Sequence, residues 1–272
     1  MPNVALLLLN PGARKVDDQS VEVADQLRER GLQVVFEPLT DATRAGDIIR
    51  RHAADVDRVI IGSGDGTLGA ATQALIDTGL PLGILPFGTA NNIARTLGIP
   101  TDVDAALAIA SGNSTRHIDV GRVNGRCFLT TASFGLSVAI TEELTSDAKA
   151  QWGQRICTRT GGMLETRSVQ VVVGNGRYYG TALQVAGDAA IDDHALDLYS
   201  IEVQHWWRLL ALGPALKRGT HGKSDTVHTA RARAFEIVTS TPCPIDADGE
   251  LIGETPAKFD MLPDALAVFV PE

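Results

Sequence analysis

The chain has 272 residues, enough for one large domain or two small ones, and 44% of them are hydrophobic, so a substantial core can be buried. Its formal net charge of -9, from 24 basic and 33 acidic residues, argues against a nucleic-acid-binding protein, because such proteins carry a basic surface. The three cysteines are far apart and show no CxxC spacing, which indicates reduced thiols in a cytoplasmic protein rather than a zinc site: Cys127, Cys157 and Cys243.

The apolar start of the chain predicts a buried strand. Val4–Leu9 is too short for a signal peptide and no basic residue precedes it. Strands and helices then alternate over about the first 110 residues. Further strands are predicted at Gln33–Glu37, Arg58–Ile61 and Leu82–Leu85, and helices at Val21–Arg30, Gly46–Ala54, Thr67–Thr78 and Asp102–Ser111, with one more where PFGTANNIARTLG turns into a helix. This alternation predicts a doubly wound α/β domain with a parallel sheet, whose ligands bind beyond the carboxyl ends of the strands.

The pattern changes near Arg116, where short β-rich segments bounded by Gly, Asn, Asp and Pro begin. Such segments predict an antiparallel β-sandwich or barrel. The predicted strands are His117–Val123, Arg126–Phe134, Val169–Gly174, Tyr178–Ala186, Leu196–Val203, Ala234–Ser240 and Leu266–Val270. We therefore expect an α/β domain over residues 1–122 and a β-sandwich domain over residues 123–257.

The stretch IIGSGDGTLGAA places three glycines after the strand that ends at Ile61. Glycines let backbone amides approach phosphate oxygens, because no Cβ lies in the way. The lysine of a P-loop is absent. Asp65 would repel a bound polyphosphate unless a divalent cation lies between them, which suggests a metal–nucleotide complex. The alternative is a tight turn in which Asp65 caps the next helix.

The next predicted strand also ends in a polar loop, GILPFGTANN at residues 83–92. Two polar loops at one edge of a parallel sheet would form two walls of a nucleotide site.

The two loops together, GSGDGT and GILPFGTANNIARTLGIP, resemble the catalytic domain of diacylglycerol kinases and their bacterial lipid kinase relatives, a group that includes sphingosine and ceramide kinases. The resemblance also includes Asn10-Pro11, Asp119 in HIDVGRVNGRCF, the GNG of Gly174–Gly176, AAIDDHALDLYSI and DADGE. It implies an α/β domain followed by a β-sandwich domain with the active site in the cleft between them. It also implies that residues 258–272 return to the first domain.

The resemblance implies ATP as phosphate donor, Mg²⁺ as cofactor and a lipid hydroxyl as acceptor, met by a cytoplasmic protein at the membrane surface. The implied ATP-binding residues are Asn10, Thr40, Gly64, Asp65, Gly66, Thr67 and Thr89, with Thr43 as the rival of Thr40. Asp65 and Asp119 would help to hold the metal, with Asp248 assisting. Glu250 of DADGE matches the family's general base. From the residues alone, DADGE predicts only an acidic hairpin turn.

A second Mg²⁺ site is implied by the match of residues 190–195 to a metal loop of the bacterial members. The side chain of Asp193 and the carbonyls of Ala190 and Ala195 would be its ligands. The family has Gly where this chain has His194, which is expected to change the loop.

Other departures remove two carboxylates from the expected phosphate site. Ala70 stands in the segment where the family carries Glu, and Asn92 stands where it carries Asp. The glycine-rich stretch after GNG is reduced, and Ser63 resembles the sphingosine kinase form of the first loop. The lost charge would weaken Mg²⁺ recruitment, shift the substrate, or mark a member with little activity.

Residues 205–219, HWWRLLALGPALKRG, predict a helix with Trp206-Trp207 beside basic residues. One interpretation packs this helix on the sandwich; the other places it at a membrane interface. Edge strands of such sheets often pair, which would give a homodimer.

Two alternatives to a lipid kinase remain open at this stage. One is an NAD kinase-like enzyme that phosphorylates a soluble hydroxyl compound. The other is a catalytically weak sensor of nucleotide or lipid. No linear motif identifies the lipid.

Overall fold

The computed structural model describes residues 3–9, 16–135, 152–158, 163–168, 170–176, 178–179, 183–184, 190–201 and 227–272. Asn10 and the helix predicted for residues 205–219 lie outside them. The chain divides into two compact units. Unit 1 comprises Met1–Ile118 and Asp264–Glu272, and unit 2 comprises Asp119–Pro263. The division thus falls a few residues before the expected boundary at 122, and the returning segment starts six residues after the expected 258.

Unit 1 is an α/β unit built on four parallel strands in the order β2-β1-β3-β4. The strands are β1 (Val4–Leu9), β2 (Gln33–Pro38), β3 (Arg58–Ser63) and β4 (Leu82–Pro86). The helices are α1 (Val16–Glu29), α2 (Ala45–His52), α3 (Asp65–Thr78), α4 (Asn92–Thr96) and α5 (Val103–Ser111), with a 3₁₀ turn at Ala42–Arg44. The order confirms the predicted doubly wound α/β class.

Two central strands of unit 1 are buried along their length, as expected of a parallel sheet covered by helices. Ala5–Leu9 and Arg58–Ser63 are buried throughout. The register pairs Leu9 with Gly62, and Ser63 with Pro86. The carboxyl ends of β1, β3 and β4 therefore lie at one edge, and the loops that follow β3 and β4 emerge side by side.

The end of the chain completes unit 1. Val268 pairs in parallel with Leu82 of β4, and the N–H of Val270 donates to the carbonyl of Ser114 at 3.1 Å. The ring of Phe269 lies 4.5 Å from the guanidinium carbon of Arg58, which donates in turn to the carbonyl of Gly112. Unit 1 therefore depends on residues that follow all of unit 2 in the chain.

The remaining strands are β5 (Thr115–Val123), β6 (Arg126–Phe128), β7 (Thr131–Gly135), β8 (Trp152–Thr158), β9 (Met163–Ser168), β10 (Gln170–Gly174), β11 (Tyr178–Tyr179), β12 (Leu183–Gln184), β13 (Leu196–Ile201), β14 (Val227–Ala232), β15 (Ala234–Thr239), β16 (Pro244–Ala247), β17 (Glu250–Glu254) and β18 (Ala257–Phe269). The division between the units falls within β5 and within β18.

Unit 2 is an antiparallel sandwich. One sheet has the order β14-β13-β10-β7-β16-β17. In the other, β15 pairs with β8 and β18, β8 pairs with β9, and β5 pairs with β6. Both sheets contribute to one buried cluster, Phe134, Val171, Leu198 and Ile245 from the first and Phe128, Phe235, Ile237 and Phe259 from the second. The predicted β-sandwich is confirmed.

The single strand predicted over Arg126–Phe134 is wrong in one respect. β6 pairs with β5 in one sheet, whereas β7 pairs with β10 and β16 in the other. The chain therefore changes sheets at Leu129–Thr130, where side chains from other segments bind the backbone. Among the strands that the structure describes, five were not predicted, namely β8, β9, β14, β16 and β17.

Candidate active site

The first glycine loop leads directly from β3 into a helix. α3 starts at Asp65, two residues earlier than predicted, and its N-cap is Gly64 with φ -96° and ψ 179°. Asp65 therefore lies in the first turn and is not the cap of its own helix. The first amides of a helix lack intrahelical partners and carry partial positive charge, which suits a phosphate.

The two glycine loops pack against each other, backbone to backbone. A Cβ added to Gly88 would lie 2.4 Å from the Cα of Gly64 and 2.8 Å from Oδ1 of Asn91. No side chain fits there, so glycine at position 88 is required by close approach. The predicted juxtaposition of the two loops is what the structure contains.

Asp65 connects the first loop to the second. Its Oδ2 accepts the N–H of Asn92 at 2.9 Å, and its Oδ1 accepts the N–H of Ile93 at 3.2 Å. These amides open α4, so the carboxylate caps the helix that follows the second loop. Asp65 is thus part of the first glycine loop and also supports the second loop through the start of α4.

Asn91 organises the second loop and was not singled out by sequence reasoning. Its backbone adopts φ 49°, in the left-handed region that Asn tolerates better than most residues. Its side-chain amide donates to the carbonyls of Pro86 at 3.1 Å and Gly88 at 2.8 Å, and its Oδ1 accepts the N–H of Gly88 at 2.9 Å. An Asn three residues after a Pro-x-Gly turn was the available signal.

The threonines predicted for ATP binding occupy different positions. Thr67 is buried, and its hydroxyl lies 2.7 Å from that of Ser63. Thr89 is exposed in the second loop, and Thr40 is exposed after β2 at the same edge of the sheet. The rival Thr43 donates its hydroxyl at 2.7 Å and its N–H at 3.0 Å to Oδ1 of Asp41, which lowers the pKa of that carboxyl.

In unit 2, Asp119 joins three of the sequence motifs. Asp119 is buried, with only 1% of its surface exposed. Its N–H donates to the carbonyl of Ile191 at 2.8 Å, and its Oδ2 accepts the N–H of His194 at 2.6 Å. The side-chain amide of Asn175 donates to its carbonyl at 2.8 Å. The motifs around 119, 175 and 190–195 therefore meet at one buried aspartate.

Asp248 binds the backbone at the point where the chain changes sheets. Its carboxylate accepts the N–H groups of Leu129 at 2.6 Å, Thr130 at 2.9 Å and Thr131 at 3.3 Å, as well as the hydroxyl of Thr130. Burial raises the pKa of Asp248, although these hydrogen bonds act in the opposite direction. The carboxylate is thus engaged in holding the hairpin in place.

The DADGE motif forms a tight hairpin between β16 and β17. Asp248 and Gly249 have φ values of 49° and 93°, as a two-residue turn of this kind requires. Glu250 follows at once and is exposed. Asp246, which sequence reasoning did not assign, is partly buried. Burial raises its pKa, and the negative charge of Glu250 raises it further. The turn interpretation and an accessible Glu250 are therefore compatible.

Comparison with known proteins finds a matching protein family for each of the two units. Residues 4–123 match the family described as diacylglycerol kinase catalytic domain, and residues 121–270 match the YegS C-terminal NAD kinase beta sandwich-like domain. The chain belongs to the diacylglycerol kinase catalytic-domain family, in its bacterial lipid kinase branch.

Individual relatives of this family match almost the whole chain. Proteins named probable lipid kinase YegS from Salmonella newport and Salmonella gallinarum are 31% and 32% identical, covering 98% of this chain and 96% of their own. A crystal structure of a diacylglycerol kinase from Bacillus anthracis has a TM-score of 0.80 at 23% identity, over 99% of this chain and 97% of that one, and shows the fold alone. Among the described residues, no helix has the length and apolar character to cross a bilayer.

The departures from the family pattern lie at described positions. Asn92 gives its N–H to Asp65 and begins α4, and Ala70 lies within α3. At the implied second metal site, Asp193 accepts the N–H of Ala190 at 2.8 Å on Oδ2 and that of Ala195 at 3.1 Å on Oδ1. Its Oδ2 also lies 2.5 Å from a guanidinium nitrogen of Arg231.

Proposed function

We propose that the protein is an ATP- and Mg²⁺-dependent lipid kinase that transfers the γ-phosphate to the hydroxyl of a lipid with an apolar tail. The observation that carries this proposal is the pair of glycine loops in unit 1, packed backbone to backbone and linked by Asp65. Membership of a lipid kinase family supports the acceptor class. A diacylglycerol-like lipid and a sphingoid- or ceramide-like lipid both fit this chemistry.

The phosphates of ATP would bind at the loop from Gly64 to Thr67. The amides at the N-terminus of α3 would donate to phosphate oxygens, and the helix dipole would favour their negative charge. Thr89 in the second loop and Thr40 after β2 are exposed and would contact the nucleotide. Asp65 keeps this arrangement by holding the start of α4.

Mg²⁺ bound with ATP would neutralise charge on the phosphates during transfer. Asp65 fits a role beside it, because each carboxylate oxygen that accepts one hydrogen bond keeps a further lone pair. Asp119 fits less directly. It is almost fully buried, and its Oδ2 accepts the N–H of His194. We therefore propose that Asp119 supports the loop around His194 in addition to its expected contact with Mg²⁺.

Glu250 would act as the general base. Its carboxylate would take the proton of the lipid hydroxyl as that oxygen forms a bond to the γ-phosphorus, while the bond between the γ-phosphorus and the β,γ-bridging oxygen breaks and ADP leaves. Its exposure directly after a tight hairpin turn supports this role. Asp248 would position the hairpin through the backbone of Leu129–Thr131.

The deciding experiment measures transfer of label from [γ-³²P]ATP to a panel of lipids in mixed micelles with Mg²⁺. We expect a labelled lipid from the wild type and a kcat lower by about 10²- to 10⁴-fold in Glu250→Ala. Glu254→Ala is the matched control, because it removes an exposed acid from the same strand. Equal losses in both variants would contradict the role of Glu250.

Two other outcomes of this experiment would favour a different function. Residues 121–270 match a domain whose description likens its β-sandwich to that of NAD kinase, so the panel includes NAD as a soluble acceptor. Label on NAD without lipid would favour an NAD kinase-like enzyme. ATP binding without transfer to any acceptor would favour a sensor, in line with the carboxylates missing at Ala70 and Asn92.

A further inference from the structure

The loop from Ala190 to Ala195 is folded around the side chain of Asp193. One carboxylate oxygen accepts the N–H at the start of the loop, and the other accepts the N–H at its end. The resemblance to bacterial lipid kinases implies that this carboxylate and two loop carbonyls hold a divalent cation. In this chain the carboxylate already closes the loop on itself.

A positive charge of the protein lies next to the same carboxylate. Nη2 of Arg231 is 2.5 Å from Oδ2 of Asp193, the oxygen that also accepts the N–H of Ala190. Arg231 belongs to β14, and the register places it opposite Asp197 on β13, the strand that follows the loop. Cross-strand partners face the same side of a sheet, so Arg231 lies on the same face as Asp197 and also contacts Asp193.

The rest of the loop is compatible with this arrangement. His194 adopts φ 58°, the left-handed conformation for which the family has Gly. Its N–H donates to Oδ2 of Asp119 at 2.6 Å, and the carbonyl of Ile191 accepts the N–H of Asp119 at 2.8 Å. The loop thus binds Asp119 through two hydrogen bonds that its own backbone makes. At the same time, the charge of Asp193 is neutralised by the guanidinium of Arg231.

We propose that Arg231 is the permanent cation beside Asp193 and that the Asp193 carboxylate binds no divalent metal ion. A divalent ion beside Asp193 would have to displace the guanidinium or share one carboxylate with it, and like charges at this distance repel. The residues therefore do not fit the second Mg²⁺ site that the resemblance implies. This inference is independent of the identity of the substrate.

The test uses the full chain without nucleotide and two readouts, the thermal unfolding midpoint and Mn²⁺ binding followed by electron paramagnetic resonance. We expect the wild-type midpoint to be the same in Mg²⁺ and in EDTA. Arg231→Gln should unfold at a lower temperature in EDTA, recover stability in Mg²⁺, and bind Mn²⁺ at least about tenfold more tightly than the wild type. Arg233→Gln removes an exposed arginine two positions away and should change neither readout.

The assignment to this loop is checked with Asp193→Asn. Adding that change to Arg231→Gln should abolish the gain in Mn²⁺ affinity. The proposal is overturned if Mg²⁺ stabilises the wild type and Asp193→Asn removes that effect, or if Arg231→Gln gains no Mn²⁺ affinity. Should Arg231→Gln fail to fold, the comparison of wild type, Asp193→Asn and the charge-preserving Arg231→Lys decides, because a response to Mg²⁺ that Asp193→Asn removes would place the ion in this loop.

Discussion

Asp65 caps a helix that begins 27 residues later in the chain, and the two amides it binds open α4 beside the first glycine loop. A single carboxylate thereby sets the distance between two loops that are far apart in sequence. Its role in the proposed nucleotide site is therefore geometric as well as electrostatic.

Replacing Asp65 by Ala should lower the free energy of unfolding by about 1 kcal/mol, because α4 loses its cap. ATP affinity should fall in the same variant. Asp65→Asn, which keeps one oxygen acceptor, should recover part of the stability. Urea denaturation and calorimetric ATP binding measure the two effects. Asp47→Ala, which removes an exposed acid from the first turn of α2, is the control. A variant as stable as the wild type would show that the cap is unimportant.

The carboxyls of Asp246 and Glu250 give a prediction about pH. Burial raises the pKa of Asp246 above 3.8, and the charge of Glu250 adds to this, against a hydrogen bond from the N–H of Gly249. A raised pKa in the folded state means that protonated Asp246 favours folding. This contribution is complete below the unfolded pKa and is lost as pH rises through the folded value.

Asp246→Asn should therefore gain stability relative to the wild type as pH rises from acid to neutral. Glu250→Gln should lower the pKa of Asp246, because one source of repulsion is gone. Denaturation at a series of pH values measures the first effect, and carboxyl carbon NMR titration the second. A stability difference that does not vary with pH would contradict the argument.

At the scale of elements, the contact between the two glycine loops depends on the absence of a side chain at Gly88. Gly88→Ala places a methyl 2.4 Å from backbone of the other loop, where neither partner can turn away. We expect a loss of about 1–3 kcal/mol in unfolding free energy and weaker ATP binding. Gly62→Ala is the comparison, since its methyl would meet side chains instead of backbone, the end of Leu9 at the same 2.4 Å and the Phe87 ring at 3.0 Å. Equal effects in the two variants would contradict the backbone contact.

The repeating elements of unit 1 could be predicted from sequence because each strand is a continuous apolar run followed by a helical period. Both glycine loops could be placed at one edge for the same reason. The strands of unit 2 were harder. β16 and β17 are short, and β17 is largely exposed, so no apolar run marks it. Their place is set by pairing and by Asp248, which binds residues more than a hundred positions away.

The candidate active site was also only partly predictable, because contacts between distant segments define its geometry. Glycines and acids in the loops could be found as motifs, and Glu250 through the resemblance. The partners that define their geometry could not, because the amides on Asp65, the amide donor Asn175 and the guanidinium of Arg231 come from distant segments. Asn91 had a local signal, whereas Arg231 had none.

For the molecule as a whole, the order of the chain differs from the order of its units. Unit 1 holds residues 1–118 and 264–272, and Val268 pairs with Leu82 of β4 while Phe269 lies over Arg58. A ribosome synthesises all of unit 2 before it reaches residues 264–272. During synthesis, the outer edge of β4 in unit 1 is therefore unpaired. Unpaired sheet edges of this kind bind strands of other chains and chaperones. Until residues 264–272 have been synthesised, this edge of β4 is open to pairing with strands of other chains.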